Sequence, residues 1–262
     1  MTIETILGIG VGVRAAAAPL TAGFGQSFTL RSQDPSSKLY LVDLMTNFAV
    51  TSDVSIRSPR MHDNVLGIDI NSLNINEVAS YLKGVKQEMV QQDNLQVVGG
   101  VGGGAATFDN VFISLWYENL VGMSGDLRNW ADIKLNIKNL LSVRFVLAAS
   151  AVGNWGAAAA INATDDLFKA NTKYAILGVI SSDVQSVVGL SGPCTGNVIL
   201  GIPAVRPLLG VISAYLVDLS IKSELACIPV MESSDKAGTF LTLADQTGAG
   251  CTGALLLAEL GS

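Results

Sequence analysis

The one histidine of the chain, His62, stands in SPRMHDNVLGI (58–68), beside Asp63 and four residues after Ser58. Serine, histidine and aspartate are the parts of a nucleophilic relay: the imidazole takes the hydroxyl proton and the carboxylate holds the imidazole in place. Three side chains so close in sequence do not converge on that geometry, because a relay draws its members from separate elements. A metal centre of the cupin type needs several imidazoles, and a single histidine does not supply them.

The remaining chemical candidates are weaker. The loop GGVGGG (99–104) comes after an apolar run, and Ala105 takes the third position of a dinucleotide fingerprint. The next stretch, AATFDNVFISLWY (105–117), reads as a strand, so no helix N-terminus is offered to a pyrophosphate. GIGVG (8–12) lacks a convincing strand and helix on its flanks. Ser191 in GLSGP lacks the second glycine of a nucleophile elbow. Asn162-Ala163-Thr164 is a formal glycosylation acceptor, without weight in the absence of a secretory signal. Cys194, Cys227 and Cys251 fit no zinc spacing, and their odd number argues against a disulfide framework. They read as small buried residues. The expectation is a protein that is not an enzyme, with no catalytic, cofactor-binding or metal site and no cofactor.

The elements around these residues explain more than the residues do. SPRMHDNVLGI has an echo in SGPCTGNVILGI (191–202). Sliding the chain by 134 positions puts Tyr40 on Tyr174, Pro59 on Pro193, Leu66-Gly67-Ile68 on Leu200-Gly201-Ile202, and Tyr81-Leu82 on Tyr215-Leu216. With Val50, Ser52 and Val54 this gives 10 identities in 43 ungapped positions, where unrelated segments would give about 3. His62 falls on Gly196 and Asp63 on Asn197. What the copies share there is a turn, which Asp, Asn and Gly all favour. Arg57 and Arg60 flank that turn, either as solvated charges or as partners across a subunit contact. Further out, AAAA at 15–18 recurs at 157–160, and ISLWYENL (113–120) resembles ALLLAEL (254–260).

Each copy reads mainly as short strands. In the first, 39–56 is one or two strands between turns at Asp34-Pro35 and Ser58-Pro59, and 64–70, 95–98 and 111–117 are further strands. Ile75, Val78, Leu82, Val85 and Met89 recur at helical spacing, with Asn74 and Glu77 placed as a capping box. The second copy repeats the order: strands at 174–190 and 198–202, a helix marked by Leu209, Ile212, Leu216 and Leu219 with Pro207 in its first turn, then strands at 225–231, 240–243 and 254–259. Pro229 hints at an edge or a bulge. Internal duplication of this kind governs the whole fold.

Bulk properties agree. The chain has 262 residues, 49% hydrophobic and 15% charged, against about 25% charged for a usual soluble domain. It should bury more surface than its own core needs, as oligomer subunits do. A formal charge of −6 gives no basic footprint for nucleic acid. The N-terminus lacks the basic segment of a signal peptide and carries Glu4. The most apolar window, 145–161, is short for a membrane span and broken by Gly153, Asn154 and Gly156.

Two tandem all-β halves, each with a late helix, almost no catalytic equipment and excess apolar content: this pattern resembles the double jelly-roll major capsid proteins of the lineage that includes tailless, membrane-containing icosahedral viruses. The resemblance covers most of the chain and rests on architecture rather than on a motif. It implies an all-β fold of two jelly-roll β-sandwiches, with inserted helices at about 75–92 and 207–220. The expected divisions are an N-terminal arm at 1–20, a first jelly roll at 21–125, a junction at 126–141 and a second jelly roll at 142–262. It further implies a homotrimer with six similar lobes that tiles an icosahedral shell. The implied partners are neighbouring capsomers, minor capsid or penton proteins, and an internal membrane touched by the arm. The implied location is the virion, assembled in the host cytoplasm. A tandem β-sandwich tail, spike or carbohydrate-binding module is the alternative, which aromatic clusters at loop tips would favour.

Overall fold

The structure is a computed structural model, and it describes residues 1–11, 16, 18–23, 25–47, 52–59, 67–72, 78–100, 108–148, 154–181, 186–204, 214–245 and 249–261. The chain is all-β, built from antiparallel sheets. Its first half contributes β1 (Thr2–Val11), β2 (Ala18–Pro19), β3 (Thr21–Ala22), β4 (Leu39–Asn47), β5 (Ser52–Arg57), β6 (Ile68–Ser72), β7 (Ala79–Ser80), β8 (Gln87–Glu88), β9 (Gln96–Gly99) and β10 (Phe108–Tyr117). Then come β11 (Leu127–Arg128), α1 (Trp130–Ile133), β12 (Ile137–Leu147), β13 (Ala159–Ala160), β14 (Lys173–Ser181), β15 (Ser186–Ser191) and β16 (Leu200–Pro203). α2 (Tyr215–Ser223), β17 (Ile228–Glu232), β18 (Phe240–Asp245) and β19 (Cys251–Leu260) complete the chain.

The duplication read from the sequence is present in the strands. β4 and β5, Leu39–Asn47 and Ser52–Arg57, recur in the same 134-residue register as β14 and β15, Lys173–Ser181 and Ser186–Ser191. The sheets repeat as well. In the first half β1-β10-β4-β8 form one sheet, extended by β3 and β7, and β2-β9-β5-β6 form the other. In the second half the orders are β12-β19-β14-β17, extended by β11, and β13-β18-β15-β16. Taking the common strands of each half in chain order as first to eighth, both halves read 1-8-3-6 in one sheet and 2-7-4-5 in the other.

Side chains alternate across the strands, and the alternation sorts them into two cores. Ile6, Leu41, Leu44, Val54, Ile56, Val97, Val111, Ile113 and Leu115 meet between the sheets of the first half. The opposite face of the same strands carries Ile3, Leu7, Ile9, Val42, Met45, Phe112 and Trp116, and these join the core of the second half. β1 is therefore buried at every position from Thr2 to Gly10. The N-terminal arm expected at 1–20 is corrected accordingly: residues 2–11 are a strand held between β10 and β3. An apolar strand of this length pairs along its backbone and packs on both faces, which a free arm cannot do. The stretch expected as a junction, 126–141, holds β11 against β17, α1, and the start of β12.

The helix expected at 75–92 is absent over its described part, 78–92, which holds β7, a turn and β8. Two features of tertiary structure defeat the helical period. Val85 is 68% exposed, so the apolar stripe does not face one core. The amides of Leu82 and Lys83 donate to the Asp43 carboxylate and that of Gly84 to the Val42 carbonyl, so β4 takes the donors a helix would use. Lys83 (φ +43°) and Gly84 (φ +91°) turn the chain there. The second helix, expected at 207–220, is found as α2 at Tyr215–Ser223. Residues 207–213, including Pro207, and residues 75–77 lie outside the described residues. α2 buries Tyr215, Leu216, Val217 and Leu219, and stops at Glu224 in the left-handed region (φ +59°).

Candidate functional site

The residues that first suggested chemistry are not brought together. His62, Asp63 and Arg60 lie outside the described residues, as do 101–104 of the glycine loop and Ala105 after it. Ser58 is buried. Gly8 and Gly10 of GIGVG are strand residues of β1, paired with Val111 and Asp109. Gly67 takes φ +67°, and a Cβ there would stand 2.1 Å from the Ile56 carbonyl oxygen. The shared glycine of the two echoes is thus a backbone requirement in the first copy. In the second copy Gly201 serves close packing: a Cβ would meet the Thr5 methyl at 2.8 Å. All three cysteines are buried thiols outside any disulfide. Burial pushes the Cys194 and Cys227 thiols up to about 12, far from thiolate at neutral pH. Among the described residues, no group of three or more His, Cys, Asp or Glu side chains is placed to hold a metal ion.

The concentrated polar chemistry lies where the outer face of β1-β10-β4 meets the second half. Asp43, fully buried, is its centre. Its Oδ2 accepts from the Tyr215 hydroxyl at 2.6 Å and the Ser80 hydroxyl at 2.6 Å. Its Oδ1 accepts from the amides of Leu44, Lys83 and Leu82 at 2.8, 2.9 and 3.2 Å. Burial raises the carboxyl above its ordinary value, against the pull of these hydrogen bonds, and burial beside Asp43 raises the Tyr215 phenol well above its own.

Around that cluster the halves are joined by directed contacts. The Thr5 amide donates to the Ile199 carbonyl at 2.7 Å, and the Gly201 amide donates to Thr5 Oγ1 at 2.8 Å. Trp116 Nε1 donates to the Ala226 carbonyl at 3.0 Å, and Lys86 Nζ to the Ser223 carbonyl at 2.9 Å. Trp155 reaches from the second half to Gln26 Oε1 at 3.2 Å and packs against Phe112, ring centroids 6.0 Å apart. The turn at Gly84 lies directly on α2, where a Cβ would stand 2.8 Å from Lys222 Cβ and 3.0 Å from the Leu219 carbonyl oxygen. Buried hydrogen bonds of this kind fix one arrangement of two packed bodies, because any other leaves donors unsatisfied. Sequence reasoning used Tyr215 as a repeat anchor but missed Asp43. The signal was available: one carboxylate inside the apolar run LYLVDLMTNFAV, where the second copy has Leu177.

A second feature lies on the outer face of β12-β19-β14. A groove of about 870 Å³ is lined by Arg144, Val146, Asp165, Ile180, Thr252 and Ala254, among others. Arg144 pairs with Asp165 at 2.9 Å on its rim. The three tryptophans do not mark an exposed aromatic cluster: Trp116 is 4% exposed, and Trp130 and Trp155 pack partly buried against the core.

No family model matches the chain, and no curated protein matches it in sequence. Solved structures that align over nearly its whole length include two at low identity. The PBSX exported protein XepA shares 10% identity at a TM-score of 0.30, covering 98% of this chain and 86% of its own. The protein YhaK from Escherichia coli shares 9% at a TM-score of 0.19, covering 100% and 87%. Likeness this distant carries no argument about fold or function. Among the described residues no helix is long and apolar enough to cross a membrane.

Proposed function

We propose that this chain is a structural virion protein, a major capsid subunit made of two jelly rolls that assembles as a pseudo-hexameric homotrimer in an icosahedral shell. The observation that carries the reading is the strand order, 1-8-3-6 over 2-7-4-5, present in both halves. That is the order of an eight-stranded jelly roll, in which two Greek keys wrap into a pair of facing sheets. Two such units in one chain, clasped side by side through Asp43 and Tyr215, supply two of six similar lobes. The low charge fraction fits a subunit that buries further surface against copies of itself. The partners on this reading are neighbouring capsomers and minor capsid or penton proteins, and the location is the virion, after assembly in the host cytoplasm. Membrane contact, if the particle has a lipid layer, falls to a surface other than β1, which is enclosed.

The alternative of a carbohydrate-binding or spike module gains nothing from the enclosed tryptophans. Mass measurement of the purified chain tests the proposal: a trimer is expected, with pseudo-hexagonal outlines in electron micrographs. A strictly monomeric protein at all concentrations overturns it.

A further inference from the structure

A strand that ends a sheet offers a row of amides and carbonyls to any other strand that meets it. Among the described residues, the strands that end sheets are short, with one exception. β2, β3, β7, β8, β11 and β13 have 2 residues each, β16 has 4 and β6 has 5. β12 ends its sheet with 11 residues, paired to β19 along one side. Its Leu140 and Val146 are each 59% exposed, and the strand holds no proline. A long edge with apolar side chains invites strand pairing unless something covers it.

The loop after β13 covers part of that edge. Its two ends are anchored by Ile161 and Phe168, both buried in the core of the second half. Between them, two adjacent aspartates reach to different elements. Asp165 pairs with the Arg144 guanidinium of β12 at 2.9 Å, and its Oδ2 also accepts from the Arg144 backbone amide at 3.2 Å. A carboxylate oxygen thus stands where the carbonyl of a neighbouring strand would. Alternate amides of a strand face the same edge, so that of Ser142 shares this direction. Asp166 accepts from Lys236 Nζ at 2.6 Å, in the turn Ser233–Gly238 before β18. The loop therefore ties β12 of one sheet to the entry of β18 in the other. In the first half the edge of β1 is filled without charge. The Leu7 amide donates to Gln26 Oε1 at 2.9 Å, Gln26 Nε2 donates to the Thr5 carbonyl at 2.8 Å, and β3 pairs at Gly8 and Ile9. The closure on β12 instead depends on two ion pairs, which are individually weak at a surface and screened by salt.

We infer that the loop 162–167 is a guard on the β12 edge, latched by the ion pairs of Asp165 and Asp166, and that its release lets β12 pair with β12 of a second copy. The strand is compatible with its own copy. In an antiparallel pair centred on Ser142, Leu140 falls opposite Arg144 and Lys138 opposite Val146, so no like charges meet. The same edge serves both copies, so the contact is two-fold and closes as a dimer. With the guard latched, Asp165 occupies the row at Arg144, and an incoming strand finds no continuous ladder. The guard thus keeps folded subunits from joining through this edge. It does not depend on the capsid reading, because it concerns contacts within one chain.

Sedimentation velocity on the full-length protein carrying both Asp165→Ala and Asp166→Ala tests it. The double variant should form a species of twice the wild-type mass, with self-association at least about 10-fold tighter than that of the wild type. Adding Ser142→Pro, which removes an edge amide and spares the pairing to β19, should return the double variant to the wild-type mass. Circular dichroism checks that each protein is folded. If the double variant does not fold, amide exchange on the wild type takes its place: raised salt should speed exchange at Arg144 and leave that of Val143, which faces β19, unchanged. A folded double variant that keeps the wild-type mass at every concentration overturns the inference, as does association that survives Ser142→Pro. An Arg144 amide indifferent to salt overturns it in the second experiment. So does loss of wild-type assembly on Ser142→Pro alone, because the edge would then already be in use. The wild-type mass is the baseline throughout, so the capsid reading stands or falls separately.

Discussion

Tyr215, the first residue of α2, donates its phenolic hydrogen to Asp43 of β4 at 2.6 Å, across 172 residues of sequence. The bond crosses the boundary between the two halves and sits out of reach of solvent. Asp43 has no counterpart carboxylate in the second copy, so the clasp belongs to the pairing of the halves and not to the repeat. Its consequences can be measured.

Removing the carboxylate leaves three amides and two hydroxyls without an acceptor. Asp43→Ala is expected to destabilise the protein by about 3 kcal/mol or more, given the cost of stranding buried donors. Asp43→Asn keeps an acceptor for the three amides and should cost much less. Urea denaturation of the two variants checks the difference. Equal losses would show that the charge and the acceptor for the two hydroxyls set the cost, and that neither the volume nor the bonds from the amides does.

The same carboxyl gives a pH dependence with a defined sign. Its folded-state value is raised by burial, whereas the unfolded chain releases the proton near about 3.9. Between those values the folded state holds more protons than the unfolded state, so stability falls as pH rises through the window. The wild type minus Asp43→Asn difference in unfolding free energy, tracked upward from pH about 4, should show that fall. A difference that grows with pH would place the folded-state value below the unfolded one.

Gly201 tests the contact between the halves from the backbone side. A Cβ at this position would meet the Thr5 side chain at 2.8 Å and Val187 at 3.1 Å. Gly201→Ala should cost about 1–3 kcal/mol through overpacking. Combining it with Thr5→Ser, which removes the methyl in the way, should recover part of the loss. A simple sum of the two single effects would mean that the residues are not coupled.

Trp116 tests the same contact through its indole N–H, which donates to the Ala226 carbonyl. Trp116→Phe removes the donor to the Ala226 carbonyl while keeping an aromatic ring. A loss of about 1–2 kcal/mol is expected from the stranded acceptor, read from the thermal midpoint by calorimetry.

The cysteines should be silent in the native state. Cys194 and Cys227 carry thiols pushed up to about 12 by burial, and Cys251 is 1% exposed. A thiol reagent at neutral pH should label none of the three until denaturant is added.

The order of residues alone determined a good part of the fold. Alternating Val, Ile and Leu between turn residues marks strands, because side chains on a strand alternate faces with period two. The identities linking 40–82 to 174–216 located β4, β5, β14 and β15 in one register, because paired copies of a strand keep their length and spacing. The burial of the cysteines was readable from their number and spacing. Tertiary structure decided the rest. Ile75, Val78, Leu82, Val85 and Met89 have the period of a helix, yet 82–84 give their amides to Asp43 and Val42 on a neighbouring strand, and no local pattern records that competition. The first ten residues have the composition of an arm or a strand alike. They become a strand because β10 pairs along them and the second half covers their outer face. Asp43 stood in plain view as the one charge in an apolar run, but its role depends on where the first turn of α2 comes to rest, and only packing fixes that.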